Sequence, residues 1–270
     1  MPTIRMLEGF FTRTEESPCV ATSKPPLFSK FEHVVGSNWA ELERRVADAV
    51  AQGRNIKVVY FVRHGEGTHN VAQREYGRQR WKEEFAMKDE FLDANLTVFG
   101  MRYARCVGPP ALERERVKGM PIIQRVVVST LSRTIQTAEI FFAEYPLPQK
   151  TFVGMELCRE ILGVHTCDKR VSLTKLKHKF PRVDFAFNGA AVQDEEDELW
   201  TPTHRETDAE IQVRARAFLL QFFQEIPDRH VAVVAHSKFI RVLYDMLRPG
   251  ETDLAPANCE VIPLVLEQID

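Results

Sequence analysis

The sequence predicts an α/β domain with a mostly parallel central sheet. Three short runs of apolar, mostly β-branched residues occur along the chain, and each is followed by a segment with helical periodicity. Strands that alternate with helices in this way are typical of a parallel sheet covered by helices. The chain has 270 residues, of which 44% are hydrophobic and 27% charged, so it is long enough to bury a substantial core.

The first strand follows an amphipathic helix. Apolar residues recur at helical spacing within 39–50, and a glycine closes the pattern. The run KVVYFV at 57–62 is then predicted to be a buried strand. Residues 97–107 are predicted to form another helix, which stops before Pro109-Pro110 because proline lacks the helical N–H donor.

The middle of the chain contains a second strand and helix, followed by a long irregular segment. The run VVV at 126–128 predicts the strand, and residues 131–144 predict a helix directly after it. The segment 165–206 has no clear periodicity and is expected to be irregular. Its acidic run at 194–198 is expected to be a solvated loop.

The C-terminal part predicts two helices and two strands. The sequence Thr-Asp-Ala-Glu at 207–210 is a capping-box pattern that opens a helix, which ends at Pro227. The run VAVVA at 231–235 predicts a third buried strand, and a helix is predicted at 237–247. A last strand near 260–266 contains a proline, which predicts an edge or bulged position.

Polar residues follow each of the three most strand-like runs. Arg63 and His64 follow the first, and Arg133 lies in the first helical turn after the second. His236 and Ser237 follow the third. Because ligands bind beyond the carboxyl ends of the strands in open α/β sheets, we expect these side chains to converge on one site.

These residue types suit a phosphoryl group. Arginine can hold phosphate through two parallel hydrogen bonds, and free N–H groups at helix starts also bind anions. Histidine can take the phosphoryl group on a ring nitrogen, and nearby guanidinium charge favours its neutral, nucleophilic form. The chemistry then needs a carboxyl group to protonate the leaving oxygen.

Several motifs resemble those of the histidine phosphatase superfamily, the phosphoglycerate-mutase-like proteins, and they occur in the family's order from about residue 56 to 241. They are Arg63-His64-Gly65-Glu66 with Asn70 downstream, Leu96-Thr97-x-x-Gly100, Ser129-x-x-x-Arg133-x-x-x-Thr137-Ala138, Leu157-x-Arg159-Glu160-x-x-Gly163, and His236 after VAVVA. A narrower similarity is to the eukaryotic phosphoglycerate-mutase-like phosphatases of plants and fungi. It is carried by HNVAQREYG (69–77), CDKR (167–170), LW (199–200) and RE (205–206).

The resemblance implies a three-layer α/β/α sandwich and a phosphatase that hydrolyses a phosphomonoester through phosphohistidine. His64 would be the nucleophile, and Glu160 would donate a proton to the leaving alcohol and later take one from water. The residues implied to bind the phosphoryl group are Arg63, Asn70, Arg133, His236 and Ser237. The resemblance implies neither a metal ion nor a cofactor, and it implies a small phosphorylated substrate.

Alternatives remain for the proton donor and for the reaction. Glu66 and Asp168 compete with Glu160 for the role of proton donor. A metal site built on His64 and His69 has no third ligand at a recognisable spacing. The reaction could instead be a mutase-type transfer to a sugar acid, or the chain could be a non-catalytic phospho-ligand binding protein. The sequence after Glu160, ILGVHTCDKR, departs from the pattern of proper phosphoglycerate mutases and so favours a phosphatase.

Composition limits the partners and the compartment. The chain has 36 Lys plus Arg and 38 Asp plus Glu, a formal charge of −2, which argues against a nucleic-acid-binding module. No apolar run approaches the length of a membrane helix, so no membrane partner is expected. Widely spaced cysteines without a CxxC pattern indicate free thiols and a cytoplasmic protein. These cysteines are Cys19, Cys106, Cys158, Cys167 and Cys259.

We expect one histidine phosphatase domain over residues 1–270, with an N-terminal extension at 1–55. The segment 165–206 lies outside the recurrent strand–helix pattern and is expected to cover the pocket and select the substrate. Its side chains that could reach the pocket are His165, Arg170, His204 and Arg205.

Overall fold

The structure is a computed structural model that describes residues 2–14, 25–34, 36–148, 151–250 and 253–269. The strands are β1 Thr3–Met6, β2 Phe11–Arg13, β3 Phe31–His33, β4 Asn55–Arg63, β5 Arg125–Ser129, β6 Phe152–Met155, β7 Val183–Asp184, β8 His230–Ala235 and β9 Val261–Ile269. The helices are α1 Trp39–Ala51, α2 Thr68–Tyr76, α3 Arg78–Arg80, α4 Val98–Val117, α5 Ser132–Phe141, α6 Leu173–Lys179, α7 Asp208–Glu225 and α8 Ser237–Leu247.

The central sheet of the described residues has the strand order β1-β9-β4-β8-β5-β6-β7. Strands β4, β8, β5, β6 and β7 run parallel to one another, whereas β9 is antiparallel to both β1 and β4. Strands β2 and β3 form a separate antiparallel pair. The prediction of an α/β fold with a mostly parallel sheet is therefore confirmed.

The connections between the parallel strands place helices on both faces of the sheet. From β4 to β5 and on to β6 the chain moves across the sheet in one direction, through α4 and α5. It then returns through α7 to β8, in the opposite direction. Because such crossovers are right-handed, the two directions put their helices on opposite faces. This gives three layers, with the sheet in the middle.

Several predicted elements are confirmed together with the signals that indicated them. Helix α1 begins after Asn38, whose side chain accepts a hydrogen bond from the Glu41 N–H at 2.9 Å. Helix α7 begins with the predicted capping box, in which Thr207 and Glu210 satisfy each other's backbone N–H groups. Helix α8 has its predicted bounds of 237–247 and follows β8 directly.

The helix predicted over residues 97–107 was expected to stop before Pro109-Pro110. This prediction is wrong, because the corresponding helix α4 continues to Val117. Proline in a helix interior costs about 3 kcal/mol, mainly through the lost N–H bond and a clash with the preceding turn. Here the residues one turn earlier, Arg105 and Cys106, are exposed, so water can reach their carbonyls. Packing against α5 compensates, since Gly108 lies so close to Phe141 that a Cβ atom would meet the ring at 2.6 Å.

Three further expectations are corrected. Strand β6 was not predicted from the sequence, because it has only four residues. Segment 165–206 was expected to be irregular but contains α6 and β7. Strand β9 is not an edge strand as a whole, since it lies between β1 and β4. Its Pro263 pairs with Tyr60 but lies beyond the residues of β9 that pair with β1, where a missing N–H donor is tolerated.

Within the part of the chain that the structure describes, none of the helices combines the length and apolar character needed to cross a bilayer. Cys106, Cys158, Cys167 and Cys259 are free thiols, and Cys19 lies outside the described residues.

Candidate active site

The predicted side chains come together at the carboxyl ends of three adjacent strands. Strand β8 lies between β4 and β5, and Arg63 pairs with Ala235 at the ends of β4 and β8. Since the chain leaves each strand at the same edge of the sheet, the residues that follow β4, β5 and β8 are neighbours. The rings of His64 and His236 have centroids 5.1 Å apart.

The His64 ring is held in a defined orientation. It is 1% exposed, and its Nδ1 lies 2.6 Å from the carbonyl oxygen of Gly65. Because a carbonyl can only accept, Nδ1 carries the proton in this contact, and Nε2 of the neutral ring is left with a lone pair. Nε of Arg133 donates to that Nε2 at 3.3 Å. The backbone is fixed by donation from Gly65 N–H to Thr137 Oγ1 and from Asn258 Nδ2 to the His64 carbonyl.

The surroundings keep both imidazoles neutral. Burial, and after it the positive charges of Arg133 and Arg63, hold the pKa of His64 well below its usual value. Burial and Arg133 likewise lower the pKa of His236. Nε2 of His236 contacts Ser129 Oγ at 2.8 Å, while its buried Nδ1 has no hydrogen-bond partner among the described residues. A neutral His64 is the form that can act as a nucleophile.

Arg63 and Ser237 border a cleft next to the two histidines. Nη1 of Arg63 donates to the Pro256 carbonyl at 2.7 Å, whereas its buried Nε has no partner in the described part of the chain. The cleft has a volume of about 210 Å³, and its polar lining is completed by Lys238 and Arg241.

Arg133 is completely buried, and its guanidinium forms hydrogen bonds through Nε, Nη1 and Nη2. Its Nη1 donates to the Cys167 carbonyl at 2.6 Å, and its Nη2 donates to Asp168 Oδ1 at 2.8 Å. The second oxygen of Asp168 accepts a hydrogen bond from Arg205 Nη2, also at 2.8 Å. Segment 165–206 therefore supplies a carboxylate and a second guanidinium beside Arg133.

Glu160 has an environment that favours its protonated form. Among the described residues, its oxygens accept hydrogen bonds from the N–H groups of Ile161 at 3.2 Å and Lys238 at 3.4 Å. Burial, and next the negative charge of Asp168, raise the pKa of the Glu160 carboxyl. A raised pKa helps a carboxyl group to serve as a general acid.

The two competing carboxyl groups have different environments. Burial alone would raise the pKa of Asp168, but Arg205 and Arg133 outweigh it, and the pKa lies below the usual value. Glu66 is turned to other partners, since Arg74 donates to it at 2.8 Å and Thr97 Oγ1 donates to it at 2.9 Å. Of the three candidates, Glu160 has the environment best suited to a proton donor.

The loop after Glu160 is held by residues far along the chain. Arg205 Nη1 donates to the carbonyls of Ile161 at 2.9 Å and Gly163 at 2.6 Å. Arg214 on α7 donates to the carbonyl of Glu160 itself at 3.0 Å. Gly163 has a φ of +83°, and a Cβ atom there would lie 1.7 Å from the His204 carbonyl oxygen. Only glycine fits this turn without displacing the loop.

Asn70 takes a local role in the structure. Its Oδ1 accepts a hydrogen bond from the Gly67 N–H at 2.9 Å, at the start of α2.

The expectation of free N–H groups at the helix starts is corrected by the structure. The Ser132 N–H at the start of α5 donates to Asp93 at 2.7 Å, and the Lys238 N–H in α8 donates to Glu160.

Sequence reasoning considered His69 only as a metal-ligand candidate with His64 and missed that its ring lies beside the His64 ring in the site. Its ring centroid lies 5.7 Å from that of His64, and burial followed by the charge of Arg133 lowers its pKa to about 3. Its buried Nδ1 has no partner among the described residues. The signal was present in the sequence, because His69 directly precedes Asn70 in the motif that follows His64.

One group of side chains has the donor types of a metal site. Ligand atoms of His165, Cys167 and Asp168 lie within 4.8 Å of one another. Burial raises the pKa of the Cys167 thiol, which disfavours the thiolate that binds metals. Both Asp168 oxygens already accept hydrogen bonds from arginine. These residues therefore fit an anion-binding network better than a metal centre.

The acidic run at 194–198 is a mostly exposed loop, as the sequence suggested, but Asp197 within it is an exception. Asp197 is buried and binds Arg159 through both oxygens, at 2.8 and 2.5 Å. Arg170 donates to the carbonyls of Asp194 at 2.6 Å and Glu196 at 2.7 Å. Two buried arginines thus dock this run onto the segment that carries Asp168, because each guanidinium needs a partner in the interior.

Comparison with known proteins identifies relatives along most of the chain. Residues 59–161 match the family model of the histidine phosphatase superfamily (branch 1). A "Probable phosphoglycerate mutase" of Arthroderma benhamiae is 29% identical over 263 residues, covering 94% of this chain and 73% of that protein. A "Phosphoglycerate mutase-like protein" of Arabidopsis thaliana is 29% identical over 246 residues, covering 78% of this chain and 84% of that protein.

A solved structure supports the fold. The phosphoglycerate mutase from Bacillus anthracis str. Sterne has a TM-score of 0.51 with this chain. The two are 19% identical, and the match covers 78% of this chain and 88% of the mutase. At this identity the likeness is one of fold alone.

Proposed function

The chain belongs to the histidine phosphatase superfamily through residues 59–161, and on this premise we propose that it hydrolyses a small phosphomonoester through a phosphohistidine on His64. The observation that carries the proposal is the state of the His64 ring. Its Nδ1 donates to Gly65, so the lone pair of Nε2 is available, and Arg133 contacts that same nitrogen.

In the first step, Nε2 of His64 attacks phosphorus, and the bond from phosphorus to the leaving oxygen breaks. Glu160 gives its proton to that oxygen, so the product leaves as a neutral alcohol. The guanidinium groups of Arg63 and Arg133 and the ring of His236 would hold the phosphoryl oxygens. Two buried nitrogens without partners in the described residues, Nε of Arg63 and Nδ1 of His236, support this assignment.

In the second step, water attacks the phosphohistidine. Glu160, now ionised, takes a proton from the water as its oxygen bonds to phosphorus, and the N–P bond breaks. Inorganic phosphate leaves, and both His64 and Glu160 return to their starting states. Little covalent chemistry is needed from the remaining residues, whose task is to position and neutralise the phosphoryl group.

Segment 165–206 would form one wall of this site and contribute to the choice of substrate. Asp168 and Arg205 both belong to it, and both are linked to Arg133 through hydrogen bonds. Ser237 would add a hydroxyl at the cleft beside Arg63. Asn70 would reach the phosphoryl group with its amide nitrogen, since its Oδ1 binds the Gly67 N–H.

Replacement of the nucleophile tests the proposal directly. His64→Ala should abolish release of phosphate from an aryl phosphate, because no Nε2 remains to form the covalent intermediate. His230→Ala is the matched control, since His230 is also buried but begins β8, at the end of the strand remote from the site. The control should stay within about threefold of the native rate. Retained turnover by the His64 variant would exclude the proposal.

The names of the relatives favour a second candidate, a mutase that returns the phosphoryl group to a sugar acid. Both reactions share the phosphohistidine step and differ in the acceptor. Incubation with 2,3-bisphosphoglycerate and 3-phosphoglycerate separates them. A phosphatase releases inorganic phosphate, whereas rapid interconversion of phosphoglycerates without net release would identify a mutase. Tight binding of a phosphorylated ligand without any trapped phosphohistidine would indicate a non-catalytic binding protein.

A further inference from the structure

The carboxylate of Asp168 connects two parts of the site that are separate in the sequence. Its Oδ1 accepts from Arg133, and its Oδ2 accepts from Arg205, each at 2.8 Å. Arg205 also donates to the carbonyls of Ile161 and Gly163, in the loop directly after Glu160. One carboxylate is therefore bonded to the phosphate-binding arginine on one side and, through a second arginine, to the loop of the proton donor on the other.

Burial makes this carboxylate necessary for the position of Arg133. The side chain of Arg133 is 0% exposed and that of Asp168 is 4% exposed. A buried guanidinium is costly unless a negative group is bonded to it, and bonding also fixes its plane. With Nη1 and Nη2 turned to Cys167 and Asp168, Nε of Arg133 is directed at His64. Loss of Asp168 would free the guanidinium to turn.

The charge count at Asp168 leaves a positive surplus for a substrate. Two guanidinium groups share a single carboxylate, so one positive charge at this point has no counter-charge from Asp168. A carboxylate between two cations remains ionised, and it therefore does not compete with Glu160 for proton transfer. The surplus charge is available to a phosphoryl group bound at His64.

We propose that Asp168 is a positioning residue for this site. Its carboxylate orients Arg133 toward the phosphoryl group and, through Arg205, holds the loop that carries Glu160. This inference rests on the proposed phosphatase function for its effect on turnover. The expected effect of Asp168 on phosphate binding does not depend on turnover. The positioning role and the phosphatase function can therefore be disproved separately.

The first test is equilibrium binding of inorganic phosphate, measured by titration calorimetry. Asp168→Asn should weaken binding about tenfold or more, because the amide retains the size of the side chain but not the charge that orders Arg133. Asp168→Glu, which retains the charge, should recover at least part of this loss. The matched control is Asp228→Asn, which removes the partner of Arg125 in a largely buried pair at 2.5 Å outside the site. The control should bind phosphate as the native protein does.

The second test is the pH profile of kcat/KM. The negative charge of Asp168 supports the protonated form of Glu160, so Asp168→Asn should lower the pKa of Glu160 and move the basic limb of the profile to lower pH. A purely structural role would reduce the amount of active protein without moving this limb. The other groups that act on Glu160 are Arg63, Arg133, Arg205 and the Lys238 N–H.

A third variant keeps the inference testable if Asp168→Asn does not fold. Arg205→Met leaves the Asp168–Arg133 pair intact and removes only the link to the loop of Glu160. Phosphate binding should weaken less in Arg205→Met than in Asp168→Asn, because Arg133 keeps its partner, while kcat falls about tenfold or more. Native phosphate affinity and a native pH profile in folded Asp168→Asn would overturn the inference. A native kcat in Arg205→Met would show that the Arg205 link to the loop of Glu160 does not affect turnover. If Asp168→Glu recovers none of the lost phosphate affinity, the charge of Asp168 has no role in binding.

These measurements distinguish failure of the inference from failure of the proposed function. If His64→Ala retains turnover, the phosphatase mechanism is wrong, but the calorimetric comparison of Asp168→Asn with Asp228→Asn still decides the positioning role. If His64→Ala is inactive and folded Asp168→Asn has both native phosphate affinity and a native pH profile, the mechanism stands and the positioning role is wrong.

Discussion

Nε of Arg133 lies 3.3 Å from Nε2 of His64, so the side chain proposed to hold the phosphoryl group already contacts the nitrogen proposed to receive it. An N–H donor can meet that nitrogen only when the nitrogen is unprotonated. The contact therefore favours a neutral imidazole and orients its lone pair. When the lone pair forms a bond to phosphorus, the same N–H would be free to donate to a phosphoryl oxygen.

The neutral state of His64 predicts activity well into the acidic range. Because burial, Arg133 and Arg63 lower its pKa, the acid limb of kcat/KM that reports His64 should lie below about 6.5, the ordinary histidine value. The expected profile loses activity only at lower pH, where the imidazole is finally protonated. A pH titration of kcat/KM with an aryl phosphate measures the limb. A limb at or above 6.5 would contradict the burial and charge that surround the ring.

The lowered pKa values also predict how stability depends on pH. In the unfolded chain His64 and His236 take up protons below about 6.5, whereas in the folded protein they do not, so acid favours the unfolded state. Their contribution is fully present above 6.5 and declines as pH falls, by up to about 1.4 kcal/mol per pH unit for each ring. Urea unfolding at pH 5 and pH 7 should show a smaller difference for His64→Ala than for the native protein. Equal differences would contradict the prediction.

Replacement of Glu160, the proposed proton donor, should have an effect that depends on the leaving group. Glu160→Gln is expected to lower kcat about 100-fold or more for an alkyl phosphate, since general acid catalysis contributes on that order. The loss should be smaller for an aryl phosphate, whose phenolate leaves with less need of a proton. Glu66→Gln is the control, because Glu66 binds Arg74 and Thr97 instead. If both variants lose activity equally for both substrates, Glu160 is not the proton donor.

Arg133 should not be replaceable by lysine. Arg133→Lys retains a positive charge but loses the planar group that contacts His64, Cys167 and Asp168 together. We expect kcat/KM to fall about 100-fold or more and the inhibition constant of inorganic phosphate to rise in parallel. Arg125→Lys, which alters an arginine paired with Asp228 outside the site, should stay within about twofold of native kinetics. Near-native kinetics of Arg133→Lys would exclude a role for its fork geometry.

The turn at Gly163 should be intolerant of any side chain. Gly163→Ala must place a Cβ atom at the His204 carbonyl, which would displace the loop that holds Glu160. Gly53→Ala is a matched control, because Gly53 has a similar φ of +82° but nothing within 4 Å of an added Cβ. Gly53→Ala should lower the free energy of unfolding by about 1–2 kcal/mol, because of backbone strain alone. Gly163→Ala should cost clearly more and should lower kcat, as measured by urea unfolding and steady-state kinetics. Equal effects of the two variants would exclude the steric role of His204.

Much of the fold could be predicted because its signals are local. The runs at 57–62, 126–128 and 231–235 are strands β4, β5 and β8, and the capping box at Thr207 begins α7. The course of α4 through Pro109-Pro110 could not be predicted. It depends on contact with α5, which lies across a loop and a strand.

The sequence by itself determined which side chains stand after the three central strands. Arg63, His64, Arg133 and His236 follow runs that are strands for local reasons, and the parallel arrangement of such strands brings their ends together. Their convergence therefore required no knowledge of distant contacts.

Only the tertiary structure decided which carboxyl group has a raised pKa. The sequence favoured Glu160 over Glu66 and Asp168 only through the resemblance of its motif, and the partners of the three carboxyl groups differ. Asp168 lies between Arg133 and Arg205, while Glu160 is partly buried beside the negative charge of Asp168. A pKa depends on burial and on charges brought together from distant parts of the chain, and no local pattern records these.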